Sequence, residues 1–180
     1  MRKYIMLAGI AAMLAACNNG EQAATTESTA ADSTTAAINY AYLPANHPPD
    51  NWDRGNMENA ALVLQSLKDW EEGNIDKCLT AFADSVQWVA DGMDQKMSKE
   101  ELKKMLEDYR NGVQSVKISM DDYESVISKD KQSEYVGMWY KEVVTDKSGK
   151  MDSAYYMDDA LIKNGKIALI DSKHRRFPAK

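Results

Sequence analysis

The sequence is short of the residues from which many active centres are built. Its 180 residues include only two histidines, His47 and His174, and two cysteines, Cys17 and Cys78. Two histidines exclude a His-rich metal site. The acidic pairs Glu71-Glu72, Asp121-Asp122 and Asp158-Asp159 do not replace one. Neighbouring residues on a strand point to opposite faces, so Asp158 and Asp159 cannot hold one ion together. There is no glycine-rich phosphate loop and no serine-centred elbow. Nothing in the chain implies a metal or a cofactor. Basic clusters are also missing. Lys and Arg number 22 against 28 acidic residues, a net charge of −6. The one basic group, Lys173 to Arg176, is short and terminal, which argues against nucleic acid or anionic lipid headgroups as partners. The chain has eleven methionines, and most beyond Met1 fall at core spacing, as packing residues do.

What is present begins with an export signal. Arg2 and Lys3 precede an apolar run, Tyr4–Leu14, that is too short to span a bilayer. The run ends in Leu14-Ala15-Ala16-Cys17, which resembles a bacterial lipobox. That resemblance implies removal of residues 1–16 and acylation of Cys17, giving an exported protein held in the bacterial cell envelope by lipid. Several acyl chains anchor stably where one would be marginal. Loss of Arg2 and Lys3 makes the mature chain two charges more negative. With Cys17 acylated, Cys78 stands alone, without partner for a disulfide, a thiolate zinc site or a Cys-x-x-Cys pair. Its helical spacing among apolar residues marks it as a small buried hydrophobe.

From Asn18 to about Asn39 the chain is rich in Ala, Thr, Ser and Glu, without an aromatic residue. This composition cannot bury a core and predicts a disordered tether over residues 17–41. Tyr40–Asn56, with Tyr42, Pro48, Pro49 and Trp52, reads as an irregular arm on the domain over 42–180. Folding patterns start at Met57. Met57, Ala60, Ala61, Leu64, Leu67 and Trp70 recur every three or four residues, which predicts an amphipathic helix that Gly73 ends. A second short helix spans Ile75–Ala83 and a strand Ser85–Ala90. Ser98-Lys99-Glu100-Glu101 is a capping box opening a third helix that stops at Asn111-Gly112. A strand from Ser115 to about Ser128 leads into a meander of Ser133–Thr145, Met151–Lys163 and Lys166–Phe177. Its turns are Asp146-Lys147-Ser148-Gly149 and Asn164-Gly165, the second suited to a type I′ turn. Helices followed by long antiparallel strands make an α+β layout.

This order resembles a known superfamily. Leu67 to Asp76, ending in Gly73-Asn74-Ile75-Asp76, is similar to the turn joining the first two helices of SnoaL-like and nuclear-transport-factor-2-like (NTF2-like) domains. Phe82-Ala83-Asp84-Ser85-Val86-Gln87-Trp88 is similar to their passage into the first strand. Trp139 and Asn164-Gly165-Lys166-Ile167 are similar to their terminal meander. The resemblance covers about residues 57–176. It implies a cone in which helices pack on a curved, mostly antiparallel sheet and enclose a cavity, with an aspartate base in the isomerase branch.

Pairing Thr145 with Lys150 across the first turn puts Tyr140 opposite Tyr155 and Met138 opposite Met157. One face then carries Met138, Tyr140, Tyr155, Met157, Asp159 and His174. It is apolar with a few polar groups, the composition of a ligand pocket that Trp70, Trp88 and Tyr109 would complete. Asp159 is the candidate general base there and His174 its companion. The opposite face carries Trp139, Tyr156, Ile162 and Ile167, apolar enough to predict a homodimer. Three functions follow. The first is binding of a small, largely apolar ligand or a partner protein without catalysis. The second is an isomerase-, dehydratase- or hydrolase-type enzyme using Asp159. The third is a structural envelope lipoprotein whose pocket is filled by its own side chains.

Overall fold

The computed structural model describes residues 38–177. The signal peptide, Cys17 and most of the tether lie outside the described residues. A single mixed sheet holds strands β1 (Trp52–Arg54), β2 (Phe82–Ala90), β3 (Met93–Ser98), β4 (Val113–Ser128), β5 (Glu134–Asp146), β6 (Met151–Lys163) and β7 (Lys166–Arg176). Its spatial order is β1-β4-β5-β6-β7-β2-β3, and every pairing is antiparallel except β2 with β7. Helices α1 (Met57–Glu72), α2 (Ile75–Cys78) and α3 (Lys99–Gly112) cover one face, and a 3-10 turn at Leu79–Ala81 leads from α2 into β2. The fold is α+β, as the layout of the sequence predicts.

The helix ends follow from local chemistry. Asn56 caps α1 by accepting the Glu58 N–H through its side chain. Gly73 closes it at φ 79°, a left-handed conformation that costs glycine nothing. At α3 the Ser98 and Glu101 side chains each bond the other's backbone N–H, the reciprocal capping box. Leu102 and Leu106 point from α3 into the core, where they meet Val63 of α1, Val86 of β2 and Val136 of β5. Two short strands escaped the sequence. β1 forms inside the arm by pairing with Val126–Ser128 of β4, and β3 pairs with β2 after the Asp91-Gly92 turn. Neither has the apolar alternation that marks a strand.

The meander corrects the predicted faces. Asp146 and Lys150 bond through backbone N–H and C=O at 2.9 Å, and Gly149 sits at φ 86°. The Asp146 side chain also accepts the Ser148 hydroxyl and the N–H groups of Ser148 and Lys150. The hairpin therefore closes on Asp146 and Lys150 around Lys147-Ser148-Gly149, and Thr145 pairs with Met151 instead of Lys150. All of β6 is shifted by one residue, which inverts it. The second turn does bring Lys163 opposite Lys166, with Asn164 and Gly165 both at positive φ. A bulge then leaves Ala168 between the pairs Ile162–Ile167 and Leu161–Leu169. Beyond it Tyr156 faces His174 and Asp158 faces Ser172.

The sheet's inner face thus presents Met138, Tyr140 and Glu142 from β5, Tyr156, Asp158, Ala160 and Ile162 from β6, and Ile167, Ile170 and Ser172 from β7. The predicted homodimer surface does not exist in that form. Ile162 and Ile167 are buried in the chain's own core and Tyr156 packs against it, while Trp139 stays on the other side of the sheet.

Candidate functional site

Between the helices and the inner face of the sheet lies a cavity of about 260 Å³. α1 supplies Trp70 and Leu67, α3 supplies Tyr109 and Met105, β2 supplies Trp88, and the meander supplies the floor. The spacing that buries Val63 also aims Trp70 inward two turns later, and Leu106 fixes Tyr109 one turn away in the same manner. Of the residues predicted for a pocket, Trp70, Trp88, Tyr109, Met138 and Tyr140 line this cavity.

Tyr155, Met157 and Asp159 do not. The one-residue shift of β6 places them on the outer face, where Met157 is exposed and Asp159 pairs with Lys173 at 3.0 Å. His174 lies on the inner side, its ring 5.6 Å from that of Tyr156, but outside the cavity lining. The residues that the shift turns inward are Tyr156 and Asp158.

Asp158 is 7 % exposed. Tyr140 donates its phenol proton to one carboxylate oxygen at 2.7 Å, and Ser172 donates to the other at 2.7 Å. Burial pushes the Asp158 carboxyl up to about 6, against the opposing effect of those two hydrogen bonds. Burial, and then the charge of Asp158, drives the Tyr140 phenol well above its ordinary value. The Tyr156 ring stacks on Tyr140, centroids 5.2 Å apart and planes 10° from parallel.

Glu142 is the second acid of the site and is equally buried. The Trp70 indole N–H reaches it at 3.3 Å. Burial raises its carboxyl too, with the Trp70 hydrogen bond opposing and the Asp158 charge adding to the rise. Sequence inspection missed it because a glutamate in a strand ordinarily faces water. The available signal was its position two residues after Tyr140, on the same face. Cys78 reaches the wall from α2, where its sulfur lies 3.4 Å from the Ser66 hydroxyl.

A seven-stranded curved sheet, helices over its concave side and a cavity between them make the comparison with solved structures specific. An NTF2-like protein of unknown function from Burkholderia pseudomallei superposes with a TM-score of 0.52 at 13% identity, over 66% of this chain and 90% of that one. The domain has the NTF2-like fold. An LEH-like epoxide hydrolase from M. tuberculosis is similar at a TM-score of 0.55 and 12% identity, over 66% of this chain and 84% of that one. A polyketide cyclase assigned as putative in Xanthomonas campestris pv. campestris gives 0.52 and 12%, over 66% and 91%. Residues 1–18 match the prokaryotic membrane lipoprotein lipid attachment site. No curated protein matches the chain.

Proposed function

We propose that this lipoprotein is anchored in the bacterial envelope through acyl groups on Cys17, and that its domain, residues 42–180, takes a small, largely apolar ligand into the NTF2-like cone. The observation that carries this reading is the cavity itself. Its walls are aromatic and aliphatic, its volume is about 260 Å³, and a few convergent polar groups lie at its floor. Apolar walls supply affinity through burial and the polar groups supply orientation. A protein that used this fold only as an outer surface would have no need of an unfilled interior bordered by carboxyls.

The four tryptophans provide the test. Trp70 and Trp88 line the cavity, whereas Trp52 and Trp139 do not. Titration with toluene should move the indole N–H resonances of Trp70 and Trp88 and leave those of Trp52 and Trp139 in place. Met105→Trp, which adds an indole to the wall, should abolish the response. No movement at either lining tryptophan would remove the proposal.

A second reading rests on Asp158. A buried carboxyl brought to about 6 and hydrogen-bonded to a tyrosine is suited to move a proton near neutral pH. On this reading Asp158 takes the base role, and an epoxide hydrolase or a polyketide cyclase among the structural neighbours suggests which substrates to try first. Any turnover found should fall by about 10²–10⁴-fold in Asp158→Asn. Turnover unchanged in that variant would rule Asp158 out.

A further inference from the structure

The polar groups of the cone are of one sign. Asp158 and Glu142 both face the cavity, each only 7 % exposed, and no lysine, arginine or histidine is among the residues that line it. Two buried carboxyls whose nearest cations stand outside the cavity lining are costly to ionise, and a positive charge inside the cavity would lower that cost.

The two acids differ in what they still lack. Both oxygens of Asp158 are taken, by Tyr140 and Ser172. Glu142 accepts only the long contact from Trp70 to Oε2, and its Oε1 accepts none among the described residues. That open oxygen belongs to a side chain more than nine-tenths buried at the cavity wall. Around it stand aromatic rings. Trp70 and Tyr109 have centroids 5.5 Å apart, and Tyr156 lies in the same wall. The faces of such rings attract cations, and more strongly where water is excluded.

We propose that the ligand of this cone is an organic cation, a protonated or quaternary amine on an apolar body, with its charge against Glu142 and between the rings of Trp70, Tyr109 and Tyr156. This rests on the cone being a ligand site at all. The cation supplies the counter-charge that the cavity lining lacks, and the apolar body fills the remaining volume. The basic groups whose charge reaches the site are Arg110 of α3, stacked over Trp70 with 5.7 Å to the ring centroid, and Arg176 and Lys173 of β7, none of which lines the cavity.

Affinity should therefore depend on pH. Within the cone the groups around the two acids are Tyr140 on β5, Tyr156 on β6, Tyr109 and Arg110 on α3, and Cys78 on α2; Asp159 and Lys173 act on Asp158 from the outer face, Asp152 and Arg176 act on the tyrosines, and His174 packs on Tyr156. A bound cation favours the ionised carboxyls, so acidification opposes it.

The test uses the full-length lipidated protein in nanodiscs of zwitterionic lipid and three probes of one size: benzylammonium, benzyl alcohol and benzoate. Indole resonances of Trp70 and Trp88 report occupancy. Benzylammonium should bind about tenfold or more tighter than benzyl alcohol, with benzoate weakest. Its advantage should shrink between about pH 7.5 and about pH 5. In Glu142→Gln the ratio of benzylammonium to benzyl alcohol affinity should fall towards one, and the ranking in the unaltered protein stands as evidence even if that variant fails to fold. Benzyl alcohol binding as tightly as benzylammonium, or benzoate binding best, would overturn the proposal and leave the cone as a site for another class of ligand. If none of the three moves Trp70 or Trp88, and toluene does not either, the binding reading falls with it.

Discussion

Tyr140 and Asp158 lie on neighbouring strands but not opposite one another. Met138 is the residue across from Asp158, and Tyr140 reaches diagonally to give its phenol proton at 2.7 Å. The diagonal leaves the Tyr140 ring free to stack on its direct partner, Tyr156. One tyrosine thereby supports both an aromatic wall and a buried acid.

Removing only that hydroxyl separates the two roles. Tyr140→Phe keeps the stacking and leaves one oxygen of Asp158 without its donor, at a cost of roughly 1–3 kcal/mol. The lost bond favoured the ionised form, so the Asp158 carboxyl should rise further above about 6. Urea unfolding and carboxyl-carbon NMR titration give the two numbers. An Asp158 that titrates as before would show that the hydrogen bond has no hold on it.

Stability should depend on pH through the same group. The folded chain holds the Asp158 proton more tightly than the unfolded chain, with a value of about 6 against 3.8. Its contribution to folding is then fully present below the unfolded value and is lost as pH rises through about 6. A gap of about two pH units corresponds to roughly 3 kcal/mol. Asp158→Asn lacks this dependence. The stability of the native protein relative to the variant should fall by that order between about pH 4 and about pH 8. A flat difference across this range would mean that Asp158 titrates normally.

Two glycines should fail differently when replaced. Gly149 sits at φ 86° in the β5–β6 loop, and a Cβ there would meet nothing within 4 Å. Gly149→Ala should cost only the backbone strain, on the order of 1 kcal/mol. Gly73, at φ 79°, has the Arg110 Nη2 atom 3.0 Å from the position of a Cβ. Gly73→Ala should cost the same strain plus displacement of Arg110 from over Trp70. Chemical denaturation of both variants checks the order, and an equal cost would argue that Arg110 moves aside freely.

Cys78 should be inert in the folded protein. Burial raises its thiol above the usual range, against the effect of the Ser66 hydrogen bond. Iodoacetamide should label it at least about a hundredfold more slowly in the native state than in denaturant, since the thiolate is the reacting form. Peptide mass spectrometry distinguishes it from Cys17. Rapid native labelling would show that the region around α2 opens readily.

The fold was legible in the sequence where periodicity was strong. α1, α3 and the meander strands announce themselves through Leu64 and Trp70, the Ser98–Glu101 box, and the alternation around Met138 and Ile170. β1 and β3 did not, because Trp52-Asp53-Arg54 and Met93 to Ser98 carry little apolar alternation and owe their conformation to a neighbouring strand. The cavity was half legible. Aromatic residues on helices and on β5 are placed by local rules that need no long-range register. Asp158, Tyr156 and Glu142 were missed for other reasons. The first two hang on a loop whose length is set by Asp146 side-chain bonding, and Glu142 runs against the ordinary tendency of glutamate to stay in water.

The loop at Gly149 has a consequence for how this protein tolerates change. β6 reads Tyr155-Tyr156-Met157-Asp158-Asp159, with each polar type written twice in succession. Losing or gaining one loop residue would rotate the strand and exchange Tyr156 for Tyr155 and Asp158 for Asp159. The interior would still receive one phenol and one acid. What would not survive is their arrangement, since with one residue lost Met157 would stand opposite Met138 where Asp158 stands, and Asp159 opposite Val136 where Ala160 stands. A lineage could thus shorten that hairpin and keep one phenol and one acid in its chamber while moving the acid along the strand, which is a direct route from one guest molecule to another.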